Sequence, residues 1–350
     1  MTPFWEHPAV TLYHGDCREV LRELPAESVQ CVVTSPPYWG LRSYGYDGQI
    51  GLEATPEEHV AVIVDTFREV RRVMRKDATL WLNYGDAYLA KQLLGIPWRV
   101  AFALQADGWW LRQDIVWAKP NPMPESVTDR CTKAHEYLFL LSRSASYYYD
   151  ADAIREESIR AGDIPQGMGY GDGEWGVKPS WGANPVPANR NKRSVWTIPT
   201  APFSEAHFAT FPPALVEPCV LAGTSEAGCC ADCGAPRERV TETTPEYRAL
   251  LDSGKAWRDT SGKPDDHTNR HPKGHPSQVP TKTTTTGWRP TCSHEDAPSV
   301  PCVVLDPFSG SGTTAMVARD LGRRAIGIDA SAEYLAMAVK RIGADVALPL

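Results

Sequence analysis

The sequence predicts an α/β protein with a mostly parallel β-sheet that carries helices on both faces. Two observations lead to this expectation. Apolar runs of strand length alternate with helix-like patterns over the first 142 residues, and the same alternation returns over residues 302–342. In the second segment a strand-like run leads through a glycine-rich turn into a helix-like pattern. Because strands that alternate with helices pair in parallel through crossover connections, we expect a Rossmann-like sheet.

The N-terminal segment contains the clearest individual elements. The pattern of Val29–Thr34 predicts a short buried strand that ends in Ser35, Pro36 and Pro37. Thr55, Pro56 and Glu58 predict a helix start. Threonine caps the free N–H groups, proline fits the first turn, and an acid three residues past the cap completes a capping box. Further strands and one helix are expected over Ala78–Leu82, Leu111–Trp117 and Tyr137–Leu141, and over Pro97–Ala106, respectively.

The middle of the chain has a different texture. Glycine, proline and polar residues dominate residues 150–189, which is typical of a variable loop region. Residues 203–222 return to a core-like pattern. Residues 234–291 are polar and include the threonine tract Thr283–Thr286, so we expect this stretch to be partly disordered.

Composition bounds the class of protein. Of the 350 residues, 23% are charged and 42% hydrophobic, which is ordinary for a globular protein. No apolar run reaches the length of a membrane span, and the N-terminus lacks a signal-peptide pattern. We therefore expect a cytoplasmic protein without a membrane partner. Nine cysteines in that compartment indicate metal ligands or buried thiols rather than disulfides.

Basic residues are unevenly spread along an acidic chain. The net charge of −7 disfavours a nucleic acid partner unless positive charge is concentrated on one face. Arg190, Lys192 and Arg193 form one concentration, and five basic residues between Arg68 and Lys76 form another. The first group can contact phosphates or simply aid solubility. The second is equally well explained as the solvated face of a helix.

A glycine-rich loop follows the strand-like run Cys302–Leu305. Glycines at a strand-to-helix turn let the backbone approach a ligand and present free N–H groups. Asp329 ends the next strand, roughly twenty residues further on, where an acid can accept hydrogen bonds from ribose hydroxyls. The third glycine of the dinucleotide pattern and the lysine of a phosphate loop are both absent. The loop therefore indicates a nucleoside ligand without pyrophosphate, such as S-adenosylmethionine, with a ligand-free structural turn as the alternative.

A second loop, of Ser35, Pro36, Pro37 and Tyr38, follows the predicted strand Val29–Thr34. The prolines stiffen the strand exit and offer no N–H, so the Ser35 hydroxyl and the Pro36 carbonyl can point outward as acceptors. Two acceptors that hold the hydrogens of an exocyclic amino group would localise its lone pair on nitrogen. Tyr38 offers an aromatic face to a base extruded from a duplex. The loop predicts methylation of an amino group, helped mainly by positioning, with a rigid structural turn as the alternative.

These two loops resemble the signature motifs of the amino-group DNA methyltransferases. Thr34–Tyr38 is similar to the catalytic motif and Asp306–Thr314 to the cofactor motif, and their order along the chain is that of the family's beta class. Weaker similarities are Gly15-Asp16, His207–Pro212 and Gly327–Asp329. The resemblance covers residues 10–142 and 195–342. It implies the Rossmann-like sheet of S-adenosylmethionine-dependent methyltransferases, double-stranded DNA as partner and a cognate restriction endonuclease.

The resemblance also implies roles for individual residues. Asp16 would accept a hydrogen bond from the adenine amino group of the cofactor, and Asp329 would hold the ribose. The methionine part would lie along the glycine-rich loop, and residues His207–Pro212 would close over the cofactor. The cofactor residues implied in these two segments are Asp306, Phe308, Gly310, Gly312, Thr313, Phe208 and Phe211.

The target base is suggested by Ser35. In this family a serine at that position, preceded by Thr34, is the form associated with cytosine N4 methylation, and adenine N6 is the alternative. The resemblance places target recognition in the variable region, which ends near Arg190, Lys192 and Arg193. Together with the cysteine spacing described next, which predicts a zinc-knuckle insert at 229–299, it divides the chain into a catalytic half (1–149), a variable target-recognition region (150–195), a cofactor-closing segment (196–228) and a cofactor-binding half (300–350).

Cysteines flank the polar insert. Cys230 and Cys233 have the spacing of a zinc knuckle, and Cys292 with His294 can complete a tetrahedral site. A small insert with little apolar content needs such a crosslink to stay folded. We expect a structural zinc ion on these four residues. Cys229 and Cys302 are alternative ligands, and unrelated surface cysteines are the other interpretation.

Three further classes of protein fit the sequence less well. A cytosine C5 methyltransferase needs a nucleophilic cysteine after proline, but Pro218-Cys219 and Pro301-Cys302 lead into apolar runs. A protein glutamine methyltransferase would carry asparagine in place of Ser35 and would have its cofactor loop first. A non-enzymatic zinc protein that binds DNA would not need both loops. The two loops together therefore favour the amino-group DNA methyltransferase.

Overall fold

A nine-stranded mixed β-sheet is the centre of the fold. The structure is a computed structural model, and it describes residues 1–41, 48–159, 186–200, 211–252 and 281–344. Two compact units are present. The first comprises Met1–Ala153, Arg193–Glu238 and Pro290–Leu350, and the second Ile154–Lys192 and Arg239–Arg289. Both predicted motif loops and the whole nine-stranded sheet belong to the first unit.

The strands in chain order are β1 (Trp5–His7), β2 (Val10–His14), β3 (Val29–Thr34), β4 (Met74–Tyr84), β5 (Tyr88–Leu89), β6 (Gln92–Leu93), β7 (Trp110–Ala118), β8 (His135–Ser142), β9 (Glu156–Glu157), β10 (Asn189–Arg190), β11 (Val195–Thr197), β12 (Cys229–Cys230), β13 (Arg237–Thr243), β14 (Thr283–Pro290), β15 (Ser299–Val300), β16 (Val303–Asp306) and β17 (Arg324–Asp329). The helices are α1 (Cys17–Glu23), α2 (Pro56–Val73), α3 (Ile96–Ala106), α4 (Pro213–Gly223), α5 (Pro245–Asp252), α6 (Thr313–Asp320) and α7 (Ala332–Ala344). None of the helices in the described part of the chain is long and apolar enough to cross a membrane.

The strand order of the large sheet is β1-β2-β17-β16-β3-β4-β8-β7-β11. Its centre, from β2 to β4, is parallel, and this confirms the expected crossover architecture. The sheet is mixed because β8 runs antiparallel to both β4 and β7, and β1 is antiparallel to β2. The carboxyl ends of β3, β4, β16 and β17 therefore meet the start of β8 at one edge. Both motif loops leave the sheet at that edge.

Strand β3 is the central strand of the nine-stranded sheet. All six of its residues are buried, which explains why Cys31, Val32 and Val33 follow one another without a polar residue between them. It pairs in parallel with β16 on one side, Val32 opposite Leu305, and with β4 on the other, Thr34 opposite Leu82. The exits of the catalytic and cofactor loops are thus fixed on adjacent strands.

Helix α2 begins as the sequence predicts. The Thr55 side chain accepts from the backbone N–H of Glu58 at 3.1 Å, with Pro56 in the first turn. The Glu58 carboxylate accepts from the Ala54 N–H rather than from the cap itself. The helix ends at Val73, because Met74 already starts β4.

The polar stretch and the basic residues of α2 and β4 differ from what the sequence suggests. The threonine tract Thr283–Thr286 lies in β14, which pairs with β13. This part of the polar stretch therefore forms a regular two-stranded sheet, whereas disorder was expected for parts of the stretch. The basic residues between Arg68 and Lys76 are largely engaged within the protein; Arg68, for example, pairs with Asp107 at 2.6 Å. Residues 253–280, and the segment with His207 and Phe208, lie outside the described residues.

Candidate active site

One hydrogen bond joins the two predicted motif loops. The Thr34 hydroxyl at the end of β3 donates to the Asp306 Oδ1 at the end of β16, at 2.6 Å. A second link runs from the Thr314 hydroxyl in α6 to the Val33 carbonyl, at 3.2 Å. The adjacent strand ends therefore bring the two predicted motif loops together.

Asp306 is a buried carboxylate, with 1% of its surface exposed. Its Oδ1 accepts from Thr34 and from the Phe308 N–H at 3.1 Å, whereas Oδ2 has no partner among the described residues. Burial raises the pKa of Asp306 to about 6, against the lowering effect of these hydrogen bonds. The buried Asp306 side chain therefore fixes the start of the glycine-rich loop from inside the core, through its bond to the Phe308 N–H.

The Ser35–Tyr38 loop directs its two side-chain hydroxyls toward Glu136. The Ser35 hydroxyl lies 3.2 Å from the Tyr38 hydroxyl, and Tyr38 donates to the Glu136 carboxylate at 2.9 Å. The Tyr38 ring stacks on Tyr84 with centroids 5.2 Å apart. Burial, with Glu136 nearby, raises the pKa of Tyr38 well above its usual value. Ser35 stays half-buried and can still contact a ligand, whereas the ring of Tyr38 is supported from one side.

The prolines of this loop fix its course. Pro36 is buried and Pro37 half-buried. A Cβ added to Gly51 would lie 3.1 Å from the Pro37 Cβ, so this glycine packs closely beneath the loop. Trp39 donates from its indole to the Glu53 carbonyl at 3.0 Å, which holds the exit of the loop in place.

Three polar residues at this site were missed from the sequence. Asn83 is the second-last residue of β4, within a buried run, and donates to Tyr38 Oη at 2.8 Å and to Glu136 Oε2 at 2.9 Å. Glu136 lies at the start of β8 and forms an ion pair with Lys119, the residue that follows β7. A charged or amide residue next to apolar strand runs was the available signal, but it does not reveal which strand ends meet.

Gly310 and Gly312 of the glycine-rich loop favour glycine for different structural reasons. Gly310 has a left-handed φ of +50°, and an added Cβ would meet open space. Gly312 has a φ of +77°, and an added Cβ would lie 2.8 Å from the Ala338 side chain of α7. Gly310 can therefore border a ligand, whereas Gly312 lets α7 pack closely. Arg341 of α7 secures the turn, since it donates to the Ser311 hydroxyl at 2.8 Å and to the Thr313 hydroxyl at 3.0 Å.

Asp329 lies at the end of β17, beside this loop. Its two carboxylate oxygens accept from the backbone N–H groups of Gly310 and Ser331, both at 2.8 Å. Burial raises the pKa of Asp329. Each oxygen has a further lone pair, and the side chain is only half-buried. The open space at Gly310 and these acceptor sites fit a bound nucleoside.

Asp16 is engaged in the first turn of α1. Its carboxylate accepts from the backbone N–H of Arg18 at 2.8 Å and pairs with the guanidinium of the same residue. Burial raises the pKa of Asp16, but the bonds to Arg18 outweigh it and the pKa lies below its usual value. Gly15 donates to the backbone carbonyl of Asp329 at 3.0 Å, so both aspartates are at one end of the sheet.

The remaining predicted residues are placed as follows. Phe308 and Phe211 are half-buried, and Phe308 packs against the core. Arg190 pairs with Glu156 at 2.9 Å between β9 and β10. The boundary between the two units falls between Lys192 and Arg193. A contact of these basic residues with DNA remains a prediction.

The predicted metal ligands come together. One ligand atom from each of Cys230, Cys233, Cys292 and His294 lies within 4.8 Å of the others. The thiols are free in the structure. Backbone N–H groups of Cys233 and Asp232 lower the pKa of Cys230 to about 7, although burial opposes this. Three thiols and one imidazole are the donor set of a structural zinc site.

The cysteine cluster is attached to the end of the sheet opposite the motif loops. Gln30, at the start of β3, donates to the Gly234 carbonyl at 3.1 Å and accepts from the Val303 N–H at 2.7 Å. Arg75 of β4 donates to the Cys233 carbonyl and pairs with Asp77. The cluster thus anchors three strand starts and lies away from the catalytic loop.

Known proteins resemble the chain over most of its length. The sequence matches the N6/N4 DNA methylase family over residues 29–234 and 237–340. The type II methyltransferase M.Cfr9I of Citrobacter freundii is 37% identical over 361 residues, which cover 95% of this chain and 87% of that protein. The type II methyltransferase M.SmaI of Serratia marcescens is 34% identical over 357 residues, which cover 94% and 89%.

Two solved structures have a similar fold. The PvuII DNA methyltransferase (cytosine-N4-specific) has a TM-score of 0.59 at 17% identity, over 97% of this chain and 88% of that chain. A putative DNA modification methylase of Thermus thermophilus, TTHA0409, in complex with S-adenosyl-L-methionine, has a TM-score of 0.50 at 20% identity, over 96% and 95%.

The chain therefore belongs to the N6/N4 amino-group DNA methylase family. It is an S-adenosylmethionine-dependent amino-group DNA methyltransferase, and its relatives place it among the type II enzymes of restriction–modification systems. The predicted α/β fold and the predicted activity are confirmed. The non-enzymatic and glutamine-methylating alternatives are thereby set aside.

Proposed function

We propose that this enzyme methylates N4 of cytosine in double-stranded DNA, with Ser35, Pro36, Pro37 and Tyr38 as its catalytic loop. The observation that carries the proposal is the Thr34–Asp306 hydrogen bond of 2.6 Å, which holds Ser35 beside the cofactor loop. At the exit of β3 the Ser35 hydroxyl and the Pro36 carbonyl are the two acceptors for the amino hydrogens. Tyr38 supplies an aromatic side chain for an extruded base.

The preference for cytosine rests on Ser35. Cytosine and adenine both present an amino group beside a ring nitrogen, so the two acceptors can serve either base. The family resemblance associates a serine at this position, after Thr34, with cytosine N4 methylation. Trp39 next to Tyr38 also favours the smaller base, and its hydrogen bond to the Glu53 carbonyl supports a fixed position at the loop exit.

The cofactor is held by the other strand ends. When bound, S-adenosylmethionine supplies a methyl group from its sulfonium, as a bond from the amino nitrogen forms and the carbon–sulfur bond leaves its electron pair on sulfur. Asp329 accepts hydrogen bonds from the ribose, and Gly310 lets the backbone come close to the ligand. Asp16 is the acceptor for the adenine amino group. The other residues of this proposed site are Asp306, Phe308, Gly312, Thr313, Phe208 and Phe211.

The cysteine cluster is proposed to bind one zinc ion with a structural role. Because Cys230, Cys233, Cys292 and His294 fill all four positions of a tetrahedral site, no position is left for a reacting water. The supporting contacts of Gln30 and Arg75 join the cluster to the starts of β3, β4 and β16. The ion would therefore stabilise the end of the sheet that lies away from the chemistry.

The biological setting is proposed from the type II relatives. The partners are double-stranded DNA and a cognate restriction endonuclease, and the site of action is the cytoplasm. The region 150–195 would recognise the target sequence, with Arg190, Lys192 and Arg193 on phosphates. It would lie between a catalytic half (1–149) and a cofactor-closing segment (196–228), followed by a zinc-knuckle insert (229–299) and a cofactor-binding half (300–350).

The test of the cytosine assignment is the chemical identity of the product. Unmodified genomic DNA is incubated with purified protein and S-adenosylmethionine, digested to nucleosides and analysed by mass spectrometry. We expect N4-methyl-2′-deoxycytidine. N6-methyl-2′-deoxyadenosine as the sole product would overturn the choice of base and leave the site assignment in place.

A further inference from the structure

A chain of hydrogen bonds leads from the catalytic serine to a carboxylate that lies outside the predicted motifs. The Ser35 hydroxyl donates to Tyr38 Oη at 3.2 Å, and Tyr38 donates to Glu136 Oε2 at 2.9 Å. Glu136 comes from β8, the antiparallel strand whose start meets the carboxyl end of β4. The sheet topology therefore places the carboxylate of Glu136 two hydrogen bonds away from the neutral hydroxyl of Ser35.

The direction of this chain follows from its last member. An ionised carboxylate only accepts hydrogen bonds, so the hydroxyl of Tyr38 must donate to Glu136. The side-chain amide nitrogen of Asn83 donates to Tyr38 Oη at 2.8 Å and to Glu136 Oε2 at 2.9 Å. With its own proton directed at Glu136, Tyr38 accepts from Ser35. The Ser35 oxygen thus keeps its lone pairs available to a substrate.

Two lysines balance the charge on Glu136. Lys119, the residue that follows β7, forms an ion pair with it through Oε1. Lys133 lies close enough to interact electrostatically with Glu136 and Lys119, and with Asp86 and Glu125; its ammonium nitrogen is buried without a hydrogen-bond partner among the described residues. Burial lowers the pKa of Lys133. Because Lys119 occupies Oε1 only, Oε2 remains the end of the chain from Ser35.

Methylation of an amino group creates a need that Ser35 alone cannot meet. After transfer the amino nitrogen carries a positive charge and must lose one of its hydrogens as a proton. A neutral serine hydroxyl is too weak a base to hold this proton by itself. A hydroxyl that passes its own proton onward can accept one at the same time. The two hydroxyls and the carboxylate provide that sequence of atoms.

We propose that Glu136 is the final acceptor of the proton released from the methylated amino group, and that it acts through Tyr38 and Ser35. The nitrogen–hydrogen bond breaks and its proton moves to Ser35 Oγ. The Ser35 proton moves to Tyr38 Oη, and the Tyr38 proton moves to Glu136 Oε2. The product base and both hydroxyls end neutral, and Glu136 ends as a carboxylic acid. Since it does not touch the base, Glu136 is a positioning residue, and its role rests on the proposed function of the catalytic loop.

The experiment measures the single-turnover rate of methyl transfer, with cofactor and enzyme in excess over DNA, across a range of pH. Glu136→Gln keeps the shape of the side chain but removes the acceptor, and we expect a loss of about 10²-fold in rate with little change in affinity for either substrate. Glu136→Gln also leaves Lys119 unpaired. The double variant Glu136→Gln/Lys119→Gln removes that defect and is expected to stay slow.

The pH profile separates a proton acceptor from a structural ion pair. The wild-type rate is expected to fall as the pH is lowered, because protonated Glu136 cannot accept. The double variant should lack this fall, because it has no carboxylate at position 136. Glu69→Gln breaks a more exposed but still partly buried ion pair with Arg72 on α2 and serves as the control, with wild-type rates expected.

Two outcomes would overturn the inference. One is a double variant that regains the wild-type rate, since the ion pair would then be structural. The other is a slow double variant whose rate still falls at low pH as the wild-type rate does. Ser35→Ala tells this failure apart from a failure of the proposed function. If Ser35→Ala is slow and the double variant is fast, only the role of Glu136 is wrong; if Ser35→Ala is as fast as wild type, the catalytic loop itself is wrongly assigned.

Discussion

The hydroxyl of Thr34 lies 2.6 Å from the carboxylate of Asp306, and it joins the last residue of β3 to the last residue of β16. Both side chains are buried, with exposed fractions of 0% and 1%. The catalytic and cofactor loops leave the sheet directly after these two residues. Any shift of one loop is therefore transmitted to the other through a short polar contact inside the core.

The buried carboxyl of Asp306 should make stability depend on pH. Its pKa is raised from 3.8 to about 6, so the folded state holds this proton more tightly than the unfolded state does. The resulting stabilisation is fully present below the unfolded pKa and is lost as the pH rises through about 6. Between about pH 4.5 and about pH 7 the wild type should lose roughly 2 kcal/mol more than Asp306→Asn.

Urea unfolding of the cofactor-free protein at both pH values measures this difference. The asparagine keeps an acceptor for Thr34 and Phe308 but cannot ionise, and all other groups titrate alike in the two proteins. Equal pH dependence of the unfolding free energy in wild type and variant would contradict the raised pKa.

A methyl group on Gly85 should disturb the catalytic loop. An added Cβ would lie 2.5 Å from Tyr38 Cε2 and 2.9 Å from Cδ2, so the ring must move. We expect Gly85→Ala to lower the rate of methyl transfer at least about tenfold while cofactor affinity persists, because positioning supplies the rate. Gly343→Ala in α7 is the matched control, since nothing lies within 4 Å of its added Cβ. Full activity of Gly85→Ala would show that the position of Tyr38 does not matter.

Removal of the Asp329 carboxylate should weaken cofactor binding. The side chain is the proposed ribose acceptor and also holds the Gly310 and Ser331 N–H groups. Asp329→Ala is expected to cost about 1–3 kcal/mol of binding free energy, the penalty for unpaired polar groups. Titration calorimetry with S-adenosylmethionine measures it. Asp320→Ala, at the exposed end of α6, should bind normally; equal affinity of both variants would remove Asp329 from the site.

The cysteine cluster should carry one zinc ion per chain. Elemental analysis of protein purified without added metal is expected to give one equivalent, and Cys292→Ser should lose it, because a hydroxyl is a poor ligand for this ion. Chelation should lower the thermal midpoint of the wild type. Cys131→Ser changes an exposed cysteine outside the cluster and should retain zinc. A wild-type protein without stoichiometric zinc would refute the metal assignment.

Much of the fold could be predicted, because its elements carry local signals. The strand Val29–Thr34 was predicted with its observed bounds, since it is rich in β-branched residues and ends at Ser35 and two prolines. The start of α2 followed from Thr55 and Pro56. The antiparallel placement of β8 between β4 and β7 had no such signal, because strand order depends on packing across the whole chain.

The candidate site was predictable in its motifs and not in its supporting contacts. Ser35, Gly310 and Asp329 belong to recognisable patterns at strand ends. Glu136 and Asn83 became visible only once β8 and β4 were placed side by side. For Gly312, the resemblance implied contact with the methionine part, whereas the structure gives close packing against Ala338 as the reason for a glycine.

The most direct test of the account joins the product to the catalytic loop in one measurement. Wild type and Ser35→Ala are expressed in a host whose DNA lacks N4-methylcytosine, and the genomic DNA is digested and quantified by mass spectrometry. Ser35→Ala retains the Thr34–Asp306 contact, so the fold and the cofactor loop should be kept. The account predicts N4-methylcytosine with the wild type and a loss of at least about tenfold with Ser35→Ala. Equal amounts of the modified base in both cultures would contradict it.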